Sequence, residues 1–529
     1  MFASIATMSS PCDNVVIRSG GGAVSPCSPA AGKWVLAATI IGSSMAFIDS
    51  TVVNVALPAL QAEFHATVVN VQWIVESYGL FLGALILVGG SLGDRLGRRL
   101  VFLVGVMIFA VASAACGFAS NINMLILARS IQGIGAALLV PGSLAIISAS
   151  FDEKNRGQAI GTWSGFTAIT TAVGPLLGGW LVQHASWRWV FFINLPLAAA
   201  VLVISLWRVP ESRSPDQAGI DWWGALVVTL GLGGLVFGFI ESVNLGWRNP
   251  IVIVTLVGGC ICLALFLFIE TRVQWPMVPL SLFVSSSFSG ANLLTLFLYA
   301  AIGIFFFLFP LNLIQVQQYS PTATGAAVLP LILLIFLLSR WSGGLVARYG
   351  PRLPLITGPL IVALGFALFA IPSVGGSYWR NFFPAVMILG FGMAITVAPL
   401  TTVVMNSVGE EHIGAASGIN NAVARVAGVL AIAVLGIVMV KAFAANLDQD
   451  LEHHALPAEV AHTIHANQTK LGGLPIPTDL SPQMKTAVKE WIDQSFIFGF
   501  RFVMLTCAGL AVVSAVVTIL MVQSASGSA

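Results

Sequence analysis

Charge is what this sequence has least of. Of 529 residues, 23 are Lys or Arg and 21 are Asp or Glu, together 8%. A soluble protein of this length carries roughly 130 charges at the usual share of about 25%. Too few remain to cover a surface facing water, which excludes a soluble enzyme, a nucleic-acid-binding protein and a disordered chain. The net charge of +2 offers no face for a polyanion, so no nucleic acid is expected as partner. Cysteine is scarce as well. The six (Cys12, Cys27, Cys116, Cys260, Cys262 and Cys507) are scattered, with neither a disulfide framework nor metal-ligand spacing, and read as small apolar packers. No His-Glu-x-x-His, Gly-x-Ser-x-Gly or phosphate-binding P-loop occurs, so neither an enzyme nor an ATP-driven pump is expected.

Apolar residues fill the space that charge leaves: 57% of the chain is hydrophobic, and Gly reaches 53 residues. High Gly suits helices that pack closely in lipid. A bilayer core needs about 20 mainly apolar residues per helix. Fourteen such stretches run from 34–58 to 496–522. They predict an all-α membrane protein. Residues 1–33, rich in Ser, Gly and Pro, read as a disordered cytoplasmic tail. Orientation follows from the basic residues. Connections on the N-terminal side carry Arg95, Arg98, Arg99, Lys154, Arg156, Arg208, Arg213, Arg272, Arg348 and Arg352; short loops on the other side hold only Arg188, Arg248 and Arg380. Both termini are therefore expected in the cytoplasm, with a long periplasmic loop at about 441–495. Its histidines 453, 454, 462 and 465 lack Cys partners and read as solvated.

The chain repeats itself. Gly90, Leu92, Arg95, Gly97 and Arg99 recur 253 residues later as Gly343, Leu345, Arg348, Gly350 and Arg352, while Asp94 becomes Ala347. Gly133, Gly135, Glu153, Gly157 and Gly161 recur 257 residues later as Gly390, Gly392, Glu410, Gly414 and Gly418. The implied plan is a six-helix bundle at 34–208, two extra helices in 209–272, and a second six-helix bundle in 273–529. Duplicated bundles are the signature of a secondary transporter with its site between them.

Ionisable groups at membrane depth are costly and read as functional. At about 1.5 Å per residue, Asp49 lies roughly 22 Å above the inner face. Glu76 and Arg129 lie about 8 and 9 Å below the outer face of a core about 30 Å thick. The three levels agree, predicting one cluster of a cation and two carboxylates. A carboxylate balanced between desolvation and a nearby Arg can load and release a proton. The alternative is a buried ion-pair cluster that only joins helices. Arg425 falls near the midplane of the thirteenth stretch and would suit an anionic substrate group, which leaves substrate charge open. Asn54, Tyr78, Gln132, Trp163, Asn292, Tyr299, Phe306, Asn312 and Asn420 are further cavity candidates. Asp221, Glu241, Glu270 and Arg501 sit near span ends, where they can snorkel.

Several runs resemble one family. Gly90–Arg99 is similar to the loop between helices 2 and 3 of the major facilitator superfamily. Phe47–Pro58 resembles the first-helix motif of its 14-helix drug:H+ antiporter family, and Arg129–Ala137 the fourth-helix motif. Gly174–Gly179 resembles the fifth-helix antiporter motif, and Trp187–Pro196 also fits that family. The resemblance implies the major facilitator fold, with 14 transmembrane helices as two six-helix bundles plus two extra central helices. It implies alternating access without a cofactor, driven by the proton gradient. Asp49 matches the acidic residue assigned to coupling or substrate binding, and Arg129 the residue linked to proton transfer. Asp94, Arg95, Gly97 and Arg98 become the cytoplasmic gate, with Asp94 holding the bundles closed. Gly165, Gly174, Pro175, Gly178 and Gly179 become the antiporter helix. Arg425 matches a common residue of the family.

The function expected is export of hydrophobic, often cationic compounds across a cell inner membrane in exchange for protons. Small-molecule substrate, protons and lipid are the expected partners, and a periplasmic adaptor at the long loop is left open. The rival reading is an exporter of one defined compound, such as a siderophore or an antibiotic made by the host.

Overall fold

The computed structural model describes residues 17–18, 29–151, 153–213, 221–409, 413–453, 458–476 and 480–523. Most of the expected cytoplasmic tail, and His454 in the long loop, lie outside these. Among the described residues, fourteen helices are long and apolar enough to cross a membrane. They are α1 (Pro29–Glu63), α2 (Val68–Leu96), α3 (Arg98–Gly117), α4 (Ile122–Ser150), α5 (Glu153–His184) and α6 (Trp189–Arg208). Next come α7 (Trp222–Leu245), α8 (Pro250–Glu270) and α9 (Ser286–Leu311). α10 is Pro321–Ala327 continued by Leu329–Tyr349, followed by α11 (Arg352–Phe369), α12 (Phe383–Asn406), α13 (Ile413–His453) and α14 (Pro482–Met521). The one strand pairing among the described residues is a two-residue parallel bridge, Ile17–Arg18 with Ser212–Arg213.

Polar residues at the turns start the helices. Thr67 accepts from the Asn70 amide in a capping box, and Asn121, Asp221, Asn249, Ser285 and Ser481 cap α4, α7, α8, α9 and α14. Such a cap is worth about 1 kcal/mol and satisfies amides that lipid cannot.

The repeat is visible in backbone contacts. A Cβ on Gly133 would lie 2.5 Å from the Tyr78 oxygen; one on Gly390 would lie 2.8 Å from the Leu331 Cα. A Cβ on Gly135 would lie 2.6 Å from the Phe109 nitrogen and 2.9 Å from the Gly105 oxygen. One on Gly392 would lie 2.7 Å from the Val362 nitrogen and 2.8 Å from the Gly358 oxygen. The partners on α2 and α3 map onto those on α10 and α11 at the same spacing of 253 residues that the sequence showed. Glycine is required here because the helix axes approach closer than a side chain allows.

The extra pair, α7 and α8, packs on itself and lays α7 against α2 and α13, along the seam between the halves. Trp73 Nε1 donates to Glu241 Oε1 (2.8 Å), tying α7 to α2.

The two halves close on the face that carries residues 441–495 and part towards the face that carries Gly97. On the first face Gly179 packs against the Pro321 carbonyl, and Gly325 against that of Pro175, each too close for a Cβ. Further along the same helices, a Cβ on Gly161 or Gly165 of α5 or on Gly343 or Gly344 of α10 would meet nothing within 4 Å among the described residues. Segment 441–495 is expected to be partly helical around Ser481–Asp493, and its described residues are helical over more than that stretch. α13 continues to His453, a short helix spans Ala458–Ala466, a 3-10 turn spans Gln468–Gly473, and α14 begins at Pro482.

Candidate functional site

Asp49 and Arg129 form a fully buried ion pair inside the first bundle, Nη1 to Oδ2 at 2.5 Å, with the residues 0% and 1% exposed. Four helices supply the rest of the network. Gln132, one turn after Arg129 on α4, donates from Nε2 to Asp49 Oδ1 (2.8 Å) and accepts from Arg129 Nη1 at its own Oε1 (2.8 Å). Asn194 of α6 donates to the same Asp49 oxygen (3.3 Å) and to Ser113 Oγ of α3 (3.0 Å). Ser113 donates in turn to the Phe191 carbonyl (2.8 Å). Arg129 Nε donates to the Ile74 carbonyl of α2 (3.1 Å), and its guanidinium lies 4.3 Å from the Tyr78 ring centroid. A charge pair taken out of water is tolerable only when its remaining hydrogen-bonding capacity is met, as it largely is here.

Depth arithmetic brings Asp49 and Arg129 together correctly, but it misplaces Glu76. Glu76 is 0% exposed, and neither of its oxygens has a hydrogen-bond partner among the described residues. Residues two apart on a helix point to opposite sides. Ile74 and Tyr78 face Arg129, so Glu76 faces away from it. It shares a stripe with Gln72, Gly79 and Gly83, all turned to α13. Gln72 Nε2 donates to the Ile432 carbonyl (3.1 Å), Gly79 packs on Val429, and Gly83 on Arg425. The expected cluster of one cation and two carboxylates is therefore one ion pair plus a separate acid in the seam between the bundles.

Arg425 is half-buried in that seam, its guanidinium 5.7 Å from the Phe47 ring centroid of α1. No ion pair to it occurs among the described residues. Of the cavity candidates, Tyr78 and Gln132 belong to the ion-pair network. Trp163 donates to Ser43 Oγ (3.1 Å), and Asn54 bonds the Ser50 carbonyl within its own helix (3.2 Å). Asn420 donates to Asn292 Oδ1 (3.2 Å) and Thr295 Oγ1 (2.7 Å), joining α13 to α9. Tyr299 and Phe306 are half-buried on α9, and Asn312 is buried at its end. Asp221 and Glu270 bond backbone groups at their helix ends, at Gly224 and Val278. Arg501, expected near a span end, lies halfway along the longer α14 and bonds the Ile371 and Pro372 carbonyls just past α11.

At the Gly97 face, Asp94 pairs with Arg98 (2.7 Å), while Arg95 is exposed. The start of α3 is held by Glu211, a residue the sequence reading passed over. Its oxygens accept from the Arg99 and Leu100 amides (3.0 and 3.1 Å), where a helix N-terminus favours negative charge. Gly97 has φ +123°, a backbone conformation that L side chains rarely adopt, so glycine is demanded there, and the Glu211 carboxyl lies against it. On α5, Gly174 and Gly178 pack on Thr51 and Val52 of α1, Gly179 and Pro175 meet α10, and Gly165 meets nothing.

The 441–495 face is sealed by a chain of amides. Gln315, just past α9, donates to Gln61 Oε1 of α1 (2.8 Å), and Gln61 donates to the Lys470 carbonyl (2.9 Å). Lys489 of α14 donates to the Gln315 carbonyl (3.1 Å), and Leu471 is buried beneath with φ +52°. Tyr378 donates its hydroxyl to the Ala327 carbonyl (2.7 Å). Burial pushes its ionisation up to about 12, helped by Tyr319, so it stays a donor at any physiological pH.

Asn194, Ser113, Gln61, Gln315 and Glu211 were not singled out from the sequence. Asn194 had a legible signal: it lies six residues past Arg188, at the depth already counted for Arg129. A depth count over charged groups alone passes over it.

The family model described as Major Facilitator Superfamily matches residues 39–226 and 222–432. The chain belongs to the major facilitator superfamily. It is a multi-pass membrane transporter and not an enzyme, and its relatives fit the drug:H+ antiporter type. It is 35% identical over 488 residues to the multidrug resistance protein Stp of Mycobacterium tuberculosis, covering 90% of each chain. It is 32% identical over 511 residues to the tetracenomycin C resistance and export protein of Streptomyces glaucescens, covering 94% of each. Among solved structures, a bacterial homolog of the human lysosomal transporter Spinster, inward-facing and unoccupied, aligns with TM-score 0.63 and 17% identity. That alignment covers 94% of this chain and 100% of the other, and it supports the fold.

Proposed function

We propose that this transporter exports hydrophobic compounds in exchange for protons, with Asp49, Arg129 and Glu76 as the coupling groups. The reading assigns the Gly97 face and both termini to the cytoplasm of a cell whose inner membrane holds the protein, and the 441–495 face to the outside. A periplasmic adaptor would meet that outer face. The carrying observation is a sealed Asp49–Arg129 pair at membrane depth, a place where ionisable groups are rarely kept without a task. Relatives named for multidrug resistance and for antibiotic resistance and export supply the direction of transport.

The two acids divide the work. Asp49 is fully engaged by Arg129, Gln132 and Asn194, so a proton reaches it only if that network opens. Glu76 has no partner to displace and lies where the bundles slide past each other, so the bundle motion itself changes its surroundings. Closure of the outer face by Gln61, Gln315 and the 3-10 turn, with α5 and α10 parted below, is the state that loads from the cytoplasm. Asp94, Arg98 and Glu211 bound the opening there, and Arg425 stands between the halves.

The test is dye efflux from energised cells with a panel of hydrophobic dyes of either charge. Wild-type efflux is expected to stop with a protonophore, and Asp49→Asn and Glu76→Gln each to lose gradient-driven transport at normal membrane abundance. Efflux that persists in protonophore, or in both variants, overturns the reading. The second reading, one defined host compound, gains if wild type moves no dye of the panel yet protects cells from a single metabolite.

A further inference from the structure

We infer that the seam between the bundles takes compounds bearing an acidic oxygen, a carboxylate or a phenolate beside an aromatic system, docked on Arg425. The inference rests on the export reading and names the class of cargo.

Among the described residues, four charged side chains stand deep in the spans: Asp49, Glu76, Arg129 and Arg425. Asp49 and Arg129 cancel each other and are sealed, at 0% and 1% exposed. Glu76 is sealed too, at 0%. Arg425 alone of the four is partly open. Its opening does not look at lipid, because its stem packs on Gly83 of α2 and its guanidinium reaches Phe47 of α1, both in the opposite bundle. A compound entering the seam from the Gly97 face therefore meets a positive charge. Among the described residues no open carboxylate at this depth waits for a cation, which removes the physical basis for expecting cationic cargo.

Glu76 does not neutralise Arg425. On α2, Glu76 sits seven residues before Gly83, which faces Arg425, so the two are about 10 Å apart along the helices. Among the described residues no carboxylate pairs with Arg425, and its guanidinium lies 5.7 Å from the Phe47 ring centroid, near the limit of a cation–π interaction. A guanidinium carries five donors in a planar fork. Left unmet at mid-membrane, they are costly. A planar carboxylate, or a phenolate with a neighbouring carbonyl, would meet two of them at once.

The surroundings suit the rest of such a molecule. Phe47 of α1 brings a ring to Arg425, and Tyr299 of α9 lies between Thr295 and Gly303, which meet Asn420 and Gly428 on either side of Arg425 along α13. Asn421, one turn from Arg425 on the same stripe of α13, is exposed and offers a further polar group.

The experiment measures binding to the purified protein in lipid nanodiscs by fluorescence anisotropy, without any proton gradient. The probes are fluorescein and rhodamine 123, which share a xanthene ring system and differ in charge. Fluorescein is expected to bind at least tenfold more tightly than rhodamine 123. Arg425→Gln should weaken fluorescein at least tenfold and leave rhodamine 123 within twofold, and Arg425→Lys should recover part of the loss. Rhodamine 123 binding as tightly as fluorescein overturns the inference, as does failure of fluorescein to bind wild type, and neither result needs a variant to fold. Unchanged fluorescein affinity in a folded Arg425→Gln protein overturns it as well. Fluorescein binding that holds while flux proves independent of protons would overturn the coupling and leave this inference standing.

Discussion

The two bundles share one packing plan and fill it with opposite chemistry. In the first, α2, α3 and α4 cross at Gly133 and Gly135 around an ion pair and its amides. In the second, α10, α11 and α12 cross at Gly390 and Gly392, yet the positions matching Arg129, Gln132 and Glu76 are Val386, Leu389 and Leu329. Around Val386 and Leu389 stands a cluster of rings: Phe305 lies 4.9 Å from both Phe309 and Phe369, and Phe382 lies 5.7 Å from Phe309. Backbone contact thus survives duplication while side-chain chemistry does not. The helices need small residues wherever they touch, whatever the bundle does. On the proposed reading charge is kept where a proton is to be held, and elsewhere it would only add desolvation cost.

The sharpest break of this comparison is at Arg129 and its counterpart. Arg129→Leu leaves Asp49 buried without its cation, a change that costs about 3–5 kcal/mol. We expect gradient-driven efflux to disappear and the melting temperature to fall. Val386→Ala should keep most of the transport. Equal losses in the two would mean that the bundles are not specialised.

Gly135→Val and Gly392→Val probe what the bundles have in common. Each drives a side chain into a neighbouring backbone, at about 1–3 kcal/mol or more. The two melting temperatures should fall by similar amounts; a fall at one position only would show that the shared crossings do not carry equal weight.

Within the first bundle, Asn194→Leu removes a donor from Asp49 and a partner from Ser113, worth about 1–3 kcal/mol. The pH profile of efflux should shift, and Asn194→Gln should partly restore it. A purely structural Asn194 would lower abundance without moving the profile.

The smallest effects belong to the 441–495 face. Gln61→Ala removes about 1 kcal/mol of hydrogen bonding, which should speed hydrogen exchange of the 468–474 amides about fivefold. At Arg188–Glu63, where the side chains are 37% and 47% exposed, Arg188→Ala should change stability by less than about 1 kcal/mol. If Arg188→Ala exceeds Gln61→Ala, the exposed ion pair and not the amide chain is the seal.

Much of this was legible in the chain. Apolar length gave fourteen spans, because a bilayer imposes a minimum run on any helix that crosses it. The recurring Gly pattern gave the duplicated bundles, because close helix contact permits little else. Helix rise gave the common depth of Asp49 and Arg129.

What the sequence left undecided was direction around each helix and contact between distant segments. Glu76 has the right depth and the wrong face, two residues from the side that meets Arg129. Asn194 and Ser113 reach Asp49 only through the crossing of α1, α3 and α6. Gln61, Gln315 and Lys470 are joined across more than 150 residues of chain by the way the bundles close. The solvent settled how many helices there are and how long, since lipid acts on each segment alone. Only tertiary packing settled which polar groups meet, because hydrogen bonds act over about 3 Å and depend on every helix in the bundle being in place.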